Sequence, residues 1–358
     1  MNLSYFISPH GFGHAARASA VMTALQKLIP NVHFEIFTKV PAWFFAESGV
    51  TSFSYHETLT DIGLVQKDAL VEDLPQTLEA LNNFLPFDPT LVDTLARQVD
   101  LAASRLILCD IAPLGIVVAQ KAGRPACLIE NFTWDWIYAG YSDYAQGFQP
   151  HIDYLHAIFA AADYHIQTEP VCRPQPVDLT VAPVSRAHQS ETGAIRAQLG
   201  VSPREKLVLM SMGGTGWDFG FLLEARLDPA VRLVIPGGRE QLPAVPQLIT
   251  LPRHSPLFHP DLVNACDAVI GKVGYSTLAE VYQAGLPFGF VSRAAFRESP
   301  ILENFVRAHL PHLWFDPAEF ENGHWSAKLP HLLGLAKNQP PEANGAETIA
   351  RFVAKLIR

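Results

Sequence analysis

Short apolar runs and helix-like stretches alternate along almost the whole of this chain, and that alternation limits the fold more than any other feature. Leu3–Ser8 is an apolar run that ends in Pro9-His10-Gly11. The stretch 15–28 then places Val21, Leu25 and Leu28 on one helical stripe. Val32–Phe37 is the next strand, and a longer helical pattern covers 74–99. Arg105–Cys109 and Ala126–Ile129 have the composition of buried strands, with a helix over 115–122 between them that breaks at Gly123-Arg124-Pro125. After an extended, proline-rich stretch, Glu169–Val184, the pattern resumes at Lys206–Met212, Val231–Ile235, Ala268–Ile270 and Pro287–Val291. A last helix, 346–357, follows Gln339-Pro340-Pro341. Alternation of this kind implies parallel sheets covered by helices on both faces. It predicts an α/β chain of two Rossmann-like domains, 1–178 and 179–338, with a terminal segment, 339–358, whose helix packs back on the first domain. Open parallel sheets take ligands at the carboxyl ends of their strands, so two of them face each other across a cleft.

The 358 residues are too many for one ordinary core and suit two. A charged fraction of 17% against 49% apolar leaves no room for extended disorder. The net charge of −9 argues against a nucleic-acid partner, because phosphate backbones are bound by a surplus of Lys and Arg. Cys109, Cys127, Cys172 and Cys266 are scattered, with no zinc or redox spacing, which fits reduced thiols and a cytoplasmic protein. No cationic run opens the chain, so no signal peptide is expected. No apolar stretch approaches the roughly 20 residues of a membrane span. Peripheral membrane contact stays open through Trp43-Phe44-Phe45, whose alternative is a buried helix face.

Three segments carry chemistry. Pro9–Arg17 lies in the turn between the first strand and the first helix. A histidine at that helix N-terminus is held neutral by the positive end of the helix, as a general base requires. His14 is the first candidate base and His10 the second; the alternatives are helix capping or, lacking a third ligand nearby, metal binding. The second segment, Ala268–Glu280, runs from a strand through Gly271-Lys272-Val273-Gly274 into a helix opening at Ser276-Thr277. Glycine turns, a helix start, two hydroxyls and one lysine make an anion site. Thr277-Leu278-Ala279-Glu280 also reads as a capping box, which would tie the Glu280 carboxylate to the helix start. The third segment, Met210–Gly216, offers backbone amides suited to pyrophosphate at Gly213, Gly214 and Thr215, opposite Gly13; its alternative is a plain strand–helix turn.

Further residues point toward the same rim. Asp110 ends one buried strand and joins the histidines as a catalytic candidate; Glu130 and Asn131 end another. Trp134, Trp136 and Tyr138 either stack on a sugar or pack in the core. Arg297, Glu298 and Asn304 follow the last strong strand and could reach a donor. No D-x-D motif occurs, so no metal or other cofactor is expected.

Asp267–Glu280, Gly285-Leu286-Pro287 and the region of Asn304 resemble the donor-binding segment of GT-B glycosyltransferases of the MurG-like kind. His10–Arg17, Asn131–Tyr138 and Gly271–Ser276, in that order, are similar to the glycosyltransferase-like N-terminal half of plant L-arabinokinases, over roughly residues 3–310. The resemblance implies that Glu280 binds a nucleotide ribose, that Gly213-Gly214 and Gly274–Thr277 hold a diphosphate, and that His14 works at the reacting centre. These residues depart from both patterns: no GHMP kinase half is expected from them, so arabinose phosphorylation is not implied, and the first half lacks the MurG glycine pattern beyond Gly11–His14. The expected activity is inverting, metal-independent transfer from a nucleoside-diphosphate sugar to an unknown acceptor, of the hexosyltransferase type. The rivals are a nucleotide-sugar 2-epimerase of the same fold, using Asp110 and Glu130 as acid and base, and a sugar-nucleotide-binding protein without turnover.

Overall fold

The computed structural model describes residues 1–67, 70–213, 219–223, 225–238, 242, 245–252, 254–293 and 295–358, and of Phe221 and Leu223 the backbone only. The first half runs β1 (Asn2–Ile7), α1 (Gly13–Leu28), β2 (His33–Thr38), α2 (Ala42–Glu47), β3 (Phe53–Glu57), α3 (Leu74–Phe84), α4 (Pro89–Leu101), β4 (Ser104–Asp110), α5 (Pro113–Ala122), β5 (Ala126–Glu130), α6 (Trp134–Tyr138), α7 (Ala145–Phe159), β6 (Tyr164–Thr168) and β7 (Leu179–Val181). The second runs α8 (Thr192–Gln198), β8 (Lys206–Ser211), β9 (Val231–Pro236), β10 (Leu248–Leu251), α9 (His259–Ala265), β11 (Ala268–Lys272), α10 (Tyr275–Ala284), β12 (Phe288–Val291), α11 (Ser299–His309), β13 (His312–Trp314), α12 (Pro317–Glu321), α13 (Leu329–Gly334) and α14 (Gly345–Leu356).

Both sheets are parallel throughout and follow one path. The first has seven strands in the order β3-β2-β1-β4-β5-β6-β7, and the second six in the order β10-β9-β8-β11-β12-β13. In each, the chain starts in the middle, winds outward one way and then crosses to the other side. The strand order reverses between β1 and β4, and again between β8 and β11, and a crevice opens where helices leave opposite faces. Each sheet is buried on both faces, which explains why its strands read as continuous apolar runs.

Two departures from the sequence expectation have clear causes, and the last helix lies where the sequence places it. The helical pattern over 74–99 is two helices, because Pro86 cannot sit inside one; Asp73 and Asp88 cap the two starts, accepting from Gln76 N at 3.1 Å and Thr90 N at 2.9 Å. The first sheet continues past residue 178, because β7 pairs with β6 inside the proline-rich stretch. Three residues, Leu179-Thr180-Val181, in a proline-rich stretch are too few to show a strand period. The last helix, α14, lays Ala346, Ile349, Ala350 and Val353 on the core of the first domain, against α1.

Candidate active site

The two crevices face each other and form one cleft of about 670 Å³. Its walls include His10, Gly13, His14 and Asn131 from the first domain, and Gly213, Lys272, Gly274, Ser276, Thr277, Glu280 and Glu298 from the second. Gly214 and Thr215 lie outside the described residues. The N-termini of α1 and α10 nearly touch: a Cβ on Gly13 would stand 3.7 Å from Ser276 Oγ.

On the second-domain side, β8 and β11 approach so closely that a Cβ on Gly271 would lie 1.9 Å from the Ser211 carbonyl oxygen. That contact brings the turns after the two strands together. Gly213, in the left-handed region at φ +82°, sits beside the Lys272 ammonium. Burial, then the nearby Arg293, lowers the Lys272 pKa to about 8, even though Glu298 and Glu72 pull the other way. The first amides of α10 have no acceptor within the helix and point out of its start, which makes an anion site with the lysine.

The capping-box alternative for Glu280 does not hold. The residue before α10 is Gly274, so Thr277 lies inside the helix, where its hydroxyl cannot serve as the N-cap. The Glu280 carboxylate instead accepts from Arg186 Nε at 3.1 Å and Nη2 at 2.9 Å, and from His259 Nδ1 at 2.7 Å. Arg186 comes from the connection between the domains, lies over the rings of Phe44 and Phe258, and donates to Ser48 Oγ of the first domain. Burial pushes the Glu280 carboxyl up, but Arg186 and His259 outweigh it and hold the group below its ordinary value.

On the first-domain side, His14 is 8% exposed and its Nδ1 donates to Asp110 Oδ1 at 3.1 Å. With this acceptor at 3.1 Å nearer than the Arg17 Nη2 donor at 3.4 Å, Nδ1 carries the proton and the lone pair is on Nε2, across the ring. Burial lowers the His14 pKa against the opposing pull of Asp110, so the ring is neutral at neutral pH. Asp110 is fully buried; burial pushes its carboxyl up, but Arg17 and then His14 hold it low. His10 has the other tautomer. Leu64 N donates to its Nδ1 at 3.4 Å, so the neutral ring carries its proton on Nε2 and is a donor. Burial, then His14, Arg293 and Lys272, pushes its pKa well down. Of the two histidines, His14 is the one whose proton-free nitrogen is not taken up by a backbone amide.

Several expected contacts lie elsewhere. Asp110 stands behind His14 and does not line the cleft. Glu130 is buried beneath the wall, accepting from His165 Nε2 at 2.8 Å and Gln167 Nε2 at 2.9 Å. Trp134 is a core residue packed against His10, Phe132 and Tyr138. Arg297 turns away from the cleft onto Trp136, over the ring and onto its carbonyl. Asn304 is exposed on α11, carried outward because Leu302 and Val306 hold that helix by its other face. Phe44 and Phe45 are buried and Trp43 stacks on His254, so the aromatic run closes the domain junction. Among the described residues no three His, Cys, Asp or Glu side chains are grouped to hold a metal, and no helix is long and apolar enough to cross a membrane. Residues not singled out from sequence include Arg186, His259 and Arg293, which pairs with Glu72 across the domains. Only Arg17, three positions after His14 on the same helix face, had a visible signal.

No protein-family model matches the chain. L-arabinokinase of Arabidopsis thaliana is 28% identical over 364 residues, covering 98% of this chain and 34% of that protein. The chain thus spans about a third of that relative. Two solved structures superpose over nearly all of it. Glycosyltransferase VinC in complex with dTDP has a TM-score of 0.60 at 13% identity, covering 100% of this chain and 95% of VinC. Acinetobacter baumannii MurG has a TM-score of 0.53 at 14% identity, covering 99% of both chains. This chain has the GT-B fold. In GT-B terms the cleft is the one between the two Rossmann-like halves, and the resemblance to the arabinokinase runs past residue 310 to nearly the full length.

Proposed function

We propose that this GT-B protein transfers a sugar from a nucleoside-diphosphate sugar to an acceptor hydroxyl, with inversion at the anomeric carbon. One observation carries the proposal: a neutral histidine backed by a carboxylate lines the same cleft as an anion site made of a helix start and a lysine, where the starts of α1 and α10 come within atomic contact. His14 Nε2 takes the proton of the acceptor hydroxyl as its oxygen bonds to the anomeric carbon. The bond from that carbon to the diphosphate breaks from the opposite side. The charge appearing on the leaving diphosphate falls to Lys272, the amides at the start of α10 and the Gly213 turn. Protein donors carry that charge, without a metal. Glu280, with Arg186 and His259, edges the ribose, and Leu257, Phe258 and Leu262 offer an apolar wall for the base. Glu298, held by Asn131 Nδ2 at 2.6 Å, is raised toward its neutral form by burial and faces the sugar. VinC was crystallised with dTDP, which supports a nucleotide on the second domain here. The 2-epimerase alternative loses its two carboxylates, since Asp110 and Glu130 are both engaged behind the wall.

The test is product analysis with a panel of nucleoside-diphosphate sugars in EDTA, with and without added sugar and lipid-linked acceptors. Release of nucleoside diphosphate that rises with one acceptor, and a product of inverted anomeric configuration, is expected. An epimerised sugar nucleotide without acceptor, or turnover only when a divalent metal is restored, would contradict the proposal.

A further inference from the structure

Behind the base lies a buried cation that the transfer step itself does not use. Arg17 is 1% exposed, yet every nitrogen of its guanidinium has a partner. Nε donates to Asp110 Oδ2 at 2.9 Å and Nη2 to Asp110 Oδ1 at 2.6 Å; Nη1 reaches Asn131 Oδ1 at 2.8 Å and Thr168 Oγ1 at 3.3 Å. The group also lies over the ring of Tyr275, the first residue of the donor-side helix, 5.0 Å from its centroid. Asp110 Oδ1 is the oxygen that His14 also uses, and the arginine holds it more closely than the histidine does.

A fully buried carboxylate must be compensated. In a bare His–Asp pair the compensation comes from protonating the imidazole, and a protonated imidazole is no base. Here a permanent cation supplies it. We propose that Arg17 is a positioning residue: it keeps Asp110 ionised and aligned, so that His14 holds its proton on Nδ1 and presents an unprotonated Nε2 to the cleft. The same guanidinium ties this setting to the donor half, through Asn131 to Glu298 and through the Tyr275 ring. The charged and titratable groups facing His14 are Asp110 from β4, Arg17 from α1 and His10 from the preceding turn, with Lys272 and Arg293 beyond His10. Without Arg17, only Asp110 among these favours the imidazolium.

The inference rests on His14 being the base, but it is tested on the free protein, so its failure and that of the transfer proposal can be told apart. Histidine-ring NMR, with His14 assigned by the missing signal in His14→Gln, reads tautomer and titration directly. In the wild type, His14 should be neutral with the proton on Nδ1 at pH 7.5. Arg17→Gln should raise its titration midpoint by at least about one pH unit, a tenfold gain in protonated fraction, and move the acid limb of any turnover with it. Arg17→Lys, which keeps the charge, should stay within about half a unit of wild type. If Arg17→Gln does not fold, the wild-type tautomer and the Arg17→Lys titration decide. An imidazolium or an Nε2–H tautomer in the wild type, an unmoved midpoint in Arg17→Gln, or a full-unit rise in Arg17→Lys would overturn the proposal.

Discussion

Replacing His14 by alanine should cut sugar transfer about 10²- to 10⁴-fold while leaving nucleoside diphosphate binding within a few-fold of wild type. The split follows from where the side chain sits. His14 belongs to the first-domain wall, and its one strong bond is to Asp110 behind it. The anion site across the gap is built from the second domain and does not need it. The pH profile should carry the same signature. The base works only when neutral, and burial lowers the His14 pKa, so the acid limb should fall below about 6.5, the ordinary value of an imidazole. Steady-state assays of the two proteins across pH check both points. A variant that keeps full turnover removes His14 from the mechanism.

Glu280→Ala should destabilise the folded protein by about 3–5 kcal/mol, beyond any effect on the donor, because it leaves Arg186 and His259 without their carboxylate. A residue that only touched a ribose would weaken binding and leave stability alone. Arg186 is largely buried and His259 about a quarter exposed (27%), and Arg186 also reaches Ser48 in the other domain, so the loss should appear in the junction as well as in the second core. The sign with pH is set by the lowered carboxyl pKa. The contribution of Glu280 is complete above the unfolded carboxyl value, about 4.3, and is lost as pH falls through the folded one. Urea midpoints of wild type and variant, at neutral and acid pH, measure it.

The parts of this design that were legible in the sequence are those set by local rules. Strand–turn–helix punctuation at Gly11–His14 and Gly271–Thr277 marked both crevices, since glycine turns and helix starts are properties of short segments. The sequence leaves a capping box open for Glu280, because a capping box and a through-space pair with Arg186 look alike until the N-cap is known to be Gly274. Asp110 and Glu130 are placed near the rim from strand ends alone, and a strand end does not say whether a side chain faces the cleft or the layer beneath. Arg186, His259 and Arg293 were out of reach for a different reason. Their partners Glu280, Glu280 and Glu72 are 94, 21 and 221 positions away, so nothing local records the pairing.

The cleft is expected to bind a nucleoside diphosphate against Gly213, Lys272 and the start of α10. Calorimetric titration of the intact protein with UDP and dTDP tests it most directly. One of them should bind once per chain with a Kd at or below about 1 mM, and Lys272→Ala should weaken it at least tenfold (about 1.4 kcal/mol) with the fold intact. No heat from either nucleotide at millimolar concentration, or equal affinity in Lys272→Ala, would contradict the account.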